Sequence, residues 1–303
     1  MGDKKTNIDE FVEYLQIEKN ASSYTVKCYR EDLFNFEAFL GNEGVDQLSD
    51  VDFQMVRLFL THLYSGRLGR RSVSRKISSL RTYFKFLKRE GKVLNNPFNQ
   101  VMLPKQEKTI PGFLYMEELA KLFDINDSDS PTGQRDKALL ELLYATGMRV
   151  SECQGLRLDS IDFSIGTILV MGKGRKERYL PFGQFAADAL EQYINDGRKK
   201  LIEKAKAPTD TVFLNARGNQ ITTRGIRLIL SNMVKEAALT VHVHPHKLRH
   251  TFATHMLNEG ADLRSVQELL VHENLSSTQI YTHVTKDRLR NVYMNSHPRA
   301  KDS

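Results

Sequence analysis

Apolar residues recur at helical spacing through the N-terminal third of the chain. Ile8, Phe11, Val12 and Leu15 form one stripe, and Val26, Tyr29, Leu33, Phe36 and Leu40 form a second. Ser23 is placed to cap the second run, and Gly41 and Gly44 to end it. A third helix is predicted from about Asp52 to Tyr64. A fourth runs from about Ser72 to Glu90, with Val73, Ile77, Leu80, Phe84 and Leu87 on one face. The pattern lapses near Asn95-Asn96-Pro97, and the stretch from Leu103 to Gly112 holds two prolines, a glycine and few apolar residues. A linker is therefore expected at 104–113, between a helical domain at 1–103 and a second domain at 114–303.

Beyond the linker the periodicity is mixed. Helices are predicted near Tyr115–Phe123 and Gln134–Tyr144, followed by a β-branched run at Thr167–Val170, a Gly172-Lys173-Gly174 turn and a second short strand at Glu177–Pro181. Two strands around a tight turn make an antiparallel β-hairpin. Helices return at Phe185–Asp196, Arg224–Ala238, His246–Asn258, Leu263–Leu270 and Ser276–Tyr281. The fold class expected is mainly α, with a helical N-terminal domain and a mixed, mostly helical C-terminal domain carrying a small antiparallel sheet.

Composition agrees with two packed domains: 303 residues, 40% hydrophobic and 27% charged. No run approaches the roughly 18 apolar residues of a membrane helix, and the start of the chain is polar, so a cytoplasmic protein is expected. Cys28 and Cys153 lie far apart in apolar-patterned segments and read as core thiols, not as a disulfide or a metal cage. The formal charge of +7 favours a polyanionic partner. Its distribution says more. Between Arg67 and Lys92 ten basic residues face the single acid Glu90, a local charge of +9. Within that run Arg70, Arg71, Arg75, Lys76, Arg81 and Lys85 are the candidate DNA-phosphate contacts, the alternative being an ordinary solvated helix face.

Candidate chemistry sits in the second half, at Ala145-Thr146-Gly147-Met148-Arg149, Gly172-Lys173-Gly174, His246-Lys247-Leu248-Arg249-His250, and His272 followed nine residues later by Tyr281. Each alone has a bland reading as surface arginine, hairpin turn or packing tyrosine. His246 and His250, spaced i, i+4, also raise a metal-dependent nuclease. Against that reading, the segment has no glutamate between its histidines and no acidic cluster nearby to bind magnesium.

In this order, an Arg, a hairpin Lys, a His-x-x-Arg, a further His and a Tyr, the chain resembles the tyrosine recombinase (phage-integrase) family. Within it the match is to the XerC/XerD subgroup that resolves chromosome dimers. It is carried by Tyr144-Ala145-Thr146-Gly147-Met148-Arg149-Val150-Ser151-Glu152, by His246 through His255, by Gly260-Ala261-Asp262-Leu263, by Thr278 through Val284, and by His297-Pro298-Arg299-Ala300. The linker and the tail place it nearer XerC.

The resemblance implies a SAM-like core-binding domain and a catalytic domain forming a C-shaped clamp on duplex DNA, with Tyr281 as nucleophile and a 3′-phosphotyrosine intermediate. Arg149 and Arg249 would clamp the phosphate, Lys173 protonate the leaving 5′-oxygen, His246 assist proton transfer and His272 hydrogen-bond a phosphate oxygen. It implies no cofactor and no metal. The implied partners are double-stranded DNA with a dif-type site, a XerD-like recombinase in a heterotetramer and an FtsK-type septal translocase, which places the protein at the nucleoid. A phage or transposon integrase is the rival reading, the phage type being disfavoured by the missing long N-terminal arm-binding sequence. One position departs from the family pattern: Val271 precedes His272 where glycine is usual. That raises a cleavage-deficient DNA-binding protein as a further alternative.

Overall fold

A computed structural model describes residues 6–19, 21–102, 112–125, 129–171, 177–241, 243–270 and 283–300. The chain divides into two compact units, Met1–Thr109 and Ile110–Ser303.

The described residues of unit 1 form four α-helices: α1 (Asn7–Ile17), α2 (Ser23–Asn42), α3 (Phe53–Ser65) and α4 (Arg70–Arg89). Their starts are fixed by side-chain caps that satisfy otherwise orphaned backbone N–H groups. Thr6 and Asp9 form a capping box on α1, while Ser22 and Asp52 cap α2 and α3. The cap of α2 is thus Ser22, one residue before the expected Ser23. Gly41 lies inside α2. The chain turns instead at Gly44, which takes a φ of 73° that other residues reach only with strain. Every member of the predicted α4 stripe is buried, and Phe11, Phe36, Phe59, Phe84 and Phe98 pack with it into one aromatic-rich core.

Unit 2 is built around α6 (Pro131–Thr146), in which all nine residues from Ala138 to Thr146 are buried. A helix apolar on every side belongs in the middle of a core. α5 (Met116–Phe123), α8 (Gln184–Gln192) and α11 (Pro245–Asn258) pack around it. The expected hairpin is part of a three-stranded antiparallel sheet: β1 (Ile161–Asp162), β2 (Thr167–Met171) and β3 (Glu177–Pro181), with Val170 opposite Arg178. The helix expected to stop at Asp196 continues through a π turn (Tyr193–Gly197) into α9 (Arg198–Ile202). Gln134 makes this possible. Its amide donates to Asp196 at 2.8 Å and accepts from the Gly197 N–H at 2.8 Å, so the loosened turn has partners for its polar groups.

Among the described residues of the unit there are also α7 (Val150–Gln154), α10 (Thr223–Glu236), α12 (Leu263–Leu270) and α13 (His283–Ser296). The tail after α13 lies against α6. Arg299 pairs with the buried Glu141 and stacks over the rings of Phe123 and Phe185, and Gly183 leaves room for the backbone of Arg299 and Ala300. The expected helix at 276–281 and the hairpin turn at 172–176 lie outside the described residues. No helix among the described residues is long and apolar enough to cross a membrane.

Candidate active site

The site begins where α6 ends. Gly147 adopts a left-handed φ of 57° and so terminates the helix. A Cβ there would also meet the Phe252 ring at 2.6 Å and Leu270 Cδ2 at 2.9 Å, so shape and conformation both require glycine. Two residues later Arg149 caps α7. Its backbone N–H donates to Glu152 Oε2 at 2.7 Å, and its Nη1 donates to Glu152 Oε1 at 3.1 Å. The Arg149 side chain is about one-third exposed, its relative accessibility being 34%.

Glu152 is buried and also receives a second guanidinium. Arg178, inward-facing on β3, donates Nη1 to Oε1 at 2.9 Å and Nη2 to Oε2 at 2.8 Å. Burial raises the Glu152 carboxyl, but the hydrogen bonds and charge of Arg178, with the Arg149 N–H, outweigh it and leave the group below the usual carboxylate range. The two arginines therefore share one ionised carboxylate.

Arg249 approaches from α11. Its Nη1 donates to the Gly147 carbonyl at 2.6 Å and its Nη2 to the carbonyl of Leu270, the last residue of α12. Burial, then the nearby positive charges of Arg149 and Arg178, lower its pKa to about 10, with Glu152 partly opposing them. It stays charged at neutral pH. Three guanidiniums near one carboxylate leave excess positive charge, and Arg149 and Arg249 are both only partly buried, an arrangement suited to two phosphate oxygens.

His246 lies one turn before Arg249 and is exposed in the first turn of α11, beside the capping His244. Lys173, Val271, His272 and Tyr281 lie outside the described residues. Among the described residues no group of three or more His, Cys, Asp or Glu side chains is arranged to hold a metal.

In unit 1, Arg70, Arg71 and Lys85 are exposed along α4. Arg75 is partly exposed and pairs with Asp32. Lys76 and Arg81 are committed inward. Lys76 is buried and donates to Asp32 at 3.0 Å, while Arg81 donates to the carbonyls of Phe98 and Val101. Counting all six basic residues as phosphate contacts therefore overstates the free charge: Lys76 and Arg81 have internal work because their helix faces point at the core.

Sequence reasoning assigned no site role to Glu152 or Arg178. Two signals were available: a Glu three residues after Arg149, as in a capping box, and an arginine on the face of β3 that also carries Leu180. A charge on a core-facing strand position needs a buried partner.

Residues 112–288 match the Phage integrase family, and residues 8–91 match the Phage integrase N-terminal SAM-like domain. The chain belongs to the phage integrase family. Similar members of this family include a tyrosine recombinase XerC from Oceanobacillus iheyensis, 67% identical over 97% of this chain and 96% of its own length. Tyrosine recombinase XerC from Bacillus subtilis is 57% identical over 99% of both chains. Such identity over nearly the full length supports a site-specific DNA recombinase of the Xer type. The solved structure of the XerH site-specific recombinase bound to a palindromic difH substrate, in its post-cleavage complex, shares the integrase fold. Its TM-score is 0.68 at 24% identity, covering 95% of this chain and 83% of that one.

Proposed function

We propose that this recombinase cuts DNA with Tyr281, at a dif-type site, as the XerC-like partner of a XerD-like subunit. The Tyr281 oxygen attacks the phosphorus and the bond to the 5′-oxygen breaks. Lys173 supplies the proton to that departing oxygen, and a 3′-phosphotyrosine remains. Arg149 and Arg249 bind the two non-bridging oxygens as charge grows on them, His246 assists proton transfer, and His272 hydrogen-bonds a phosphate oxygen. Because the covalent link conserves the bond energy, rejoining to the partner strand needs neither ATP nor a divalent ion. Arg70, Arg71 and Lys85 would track the DNA backbone from unit 1. In a cell the exchange would take place at the nucleoid in a heterotetramer, with an FtsK-type translocase as activator.

The observation that carries this reading is the pairing of Arg149 and Arg249 around Gly147 and Glu152, two permanently charged forks held by fixed acceptors. The test is covalent trapping. The protein is incubated in EDTA with a nicked suicide duplex bearing a dif-type site, alone and with a XerD-type partner, and denaturation-resistant protein–DNA adduct is measured. An adduct that is lost in Tyr281→Phe is expected. Binding with no adduct under either condition would instead identify a cleavage-deficient DNA-binding protein.

A further inference from the structure

We infer that Arg178 is a positioning residue for the phosphate clamp, holding Arg149 and Arg249 in register without touching DNA itself. Its side chain is 3% exposed, so no phosphate reaches it. Three of its N–H donors reach two elements that the clamp depends on. Nη1 and Nη2 grip both oxygens of Glu152, which in turn holds the backbone and side chain of Arg149. Nε donates to the Leu269 carbonyl at 3.2 Å, and the next carbonyl, Leu270, is one of the two acceptors of Arg249.

Arg178 thus ties the start of α7 and the end of α12 to strand β3. Remove the fork, and Glu152 can rotate toward Arg149 alone while the end of α12 loses a tether beside Arg249. Lysine keeps the charge but cannot make three directed contacts from one planar group. The depressed carboxyl of Glu152 agrees with this geometry, since Arg178 is the largest influence lowering it.

The inference rests on the cleavage reading above, so the experiment measures wild type first. Single-turnover adduct formation on the suicide duplex is followed for wild type, Arg178→Lys, Arg149→Lys and the double variant, with DNA affinity and melting temperature recorded for each. Arg178→Lys should slow cleavage by about 10- to 100-fold, the usual range for residues that orient a reacting group, while DNA affinity changes little. In the Arg149→Lys background the same change should cost clearly less than in wild type, because one of the two groups it positions is already altered. Equal fold-losses in both backgrounds, or a loss of melting temperature with cleavage per folded molecule unchanged, would overturn the positioning role and leave Arg178 a core ion pair. Should the lysine variant not fold, Glu152→Gln takes its place in the cycle, and undiminished cleavage in that variant overturns the role equally. A wild-type protein that forms no adduct defeats the cleavage reading and this inference together.

Discussion

On α4 of unit 1, Arg70, Arg71 and Lys85 stand in solvent, whereas in unit 2 Arg178 donates three hydrogen bonds to Glu152 and the Leu269 carbonyl, and Arg249 donates two to the carbonyls of Gly147 and Leu270. The residue types are the same and the physical tasks differ. Exposed cations attract a polyanion through released counterions, tolerate misplacement, and weaken with salt. Held cations cannot follow a ligand, so they discriminate between charge distributions that differ by fractions of an ångström, as ground and transition states do. α4 shows that the division is made by burial and not by domain, because Lys76, one helix face away from Lys85, is paired with the buried Asp32.

The contrast breaks most visibly at Arg249. Replacing it by lysine should reduce the single-turnover cleavage rate by about 10²- to 10³-fold, as loss of one fixed transition-state donor does, while affinity for uncut duplex changes far less. Equal losses in binding and cleavage would place Arg249 among the attracting charges instead. Next in size, Asp32→Ala should destabilise unit 1 by about 3–5 kcal/mol, because it strands the buried Lys76 charge. Urea unfolding measures it, and a cost under about 1 kcal/mol would mean that Lys76 escapes to solvent. Smallest is Lys85→Ala. Folding stability should move by under about 0.5 kcal/mol, and the slope of log affinity against log salt should fall by about 0.9 if Lys85 meets a phosphate. An unchanged slope would return Lys85 to the ordinary solvated face.

The helices of unit 1 were legible because a stripe at 3.6-residue spacing reports burial directly, and the α4 stripe is buried at every position read from it. What escaped was too short or too distant. α7 is five residues and β1 two, too few turns or alternations for a repeat to show. α13 carried a signal in Leu289, Val292 and Tyr293, at helical spacing, which the sequence reading passed over. Asn195-Asp196-Gly197 has the look of a helix stop, but Gln134, 62 residues earlier, hydrogen-bonds Asp196 and the Gly197 N–H where the chain runs through it. In the site, Arg149 and Arg249 could be named from motif order. Each member of the Glu152–Arg178 pair left a local signal, but their pairing did not, because it joins helix α7 to strand β3 across 26 residues of sequence.

Arg249 donates two hydrogen bonds to main-chain oxygens, at Gly147 and Leu270. A carbonyl is present whatever amino acid bears it, so the placement of this fork is written in the path of the backbone and not in the alphabet of side chains. A redesign that aims the enzyme at another DNA sequence need not keep a particular side chain for the sake of these two hydrogen bonds themselves, except at position 147, where backbone conformation and packing require glycine.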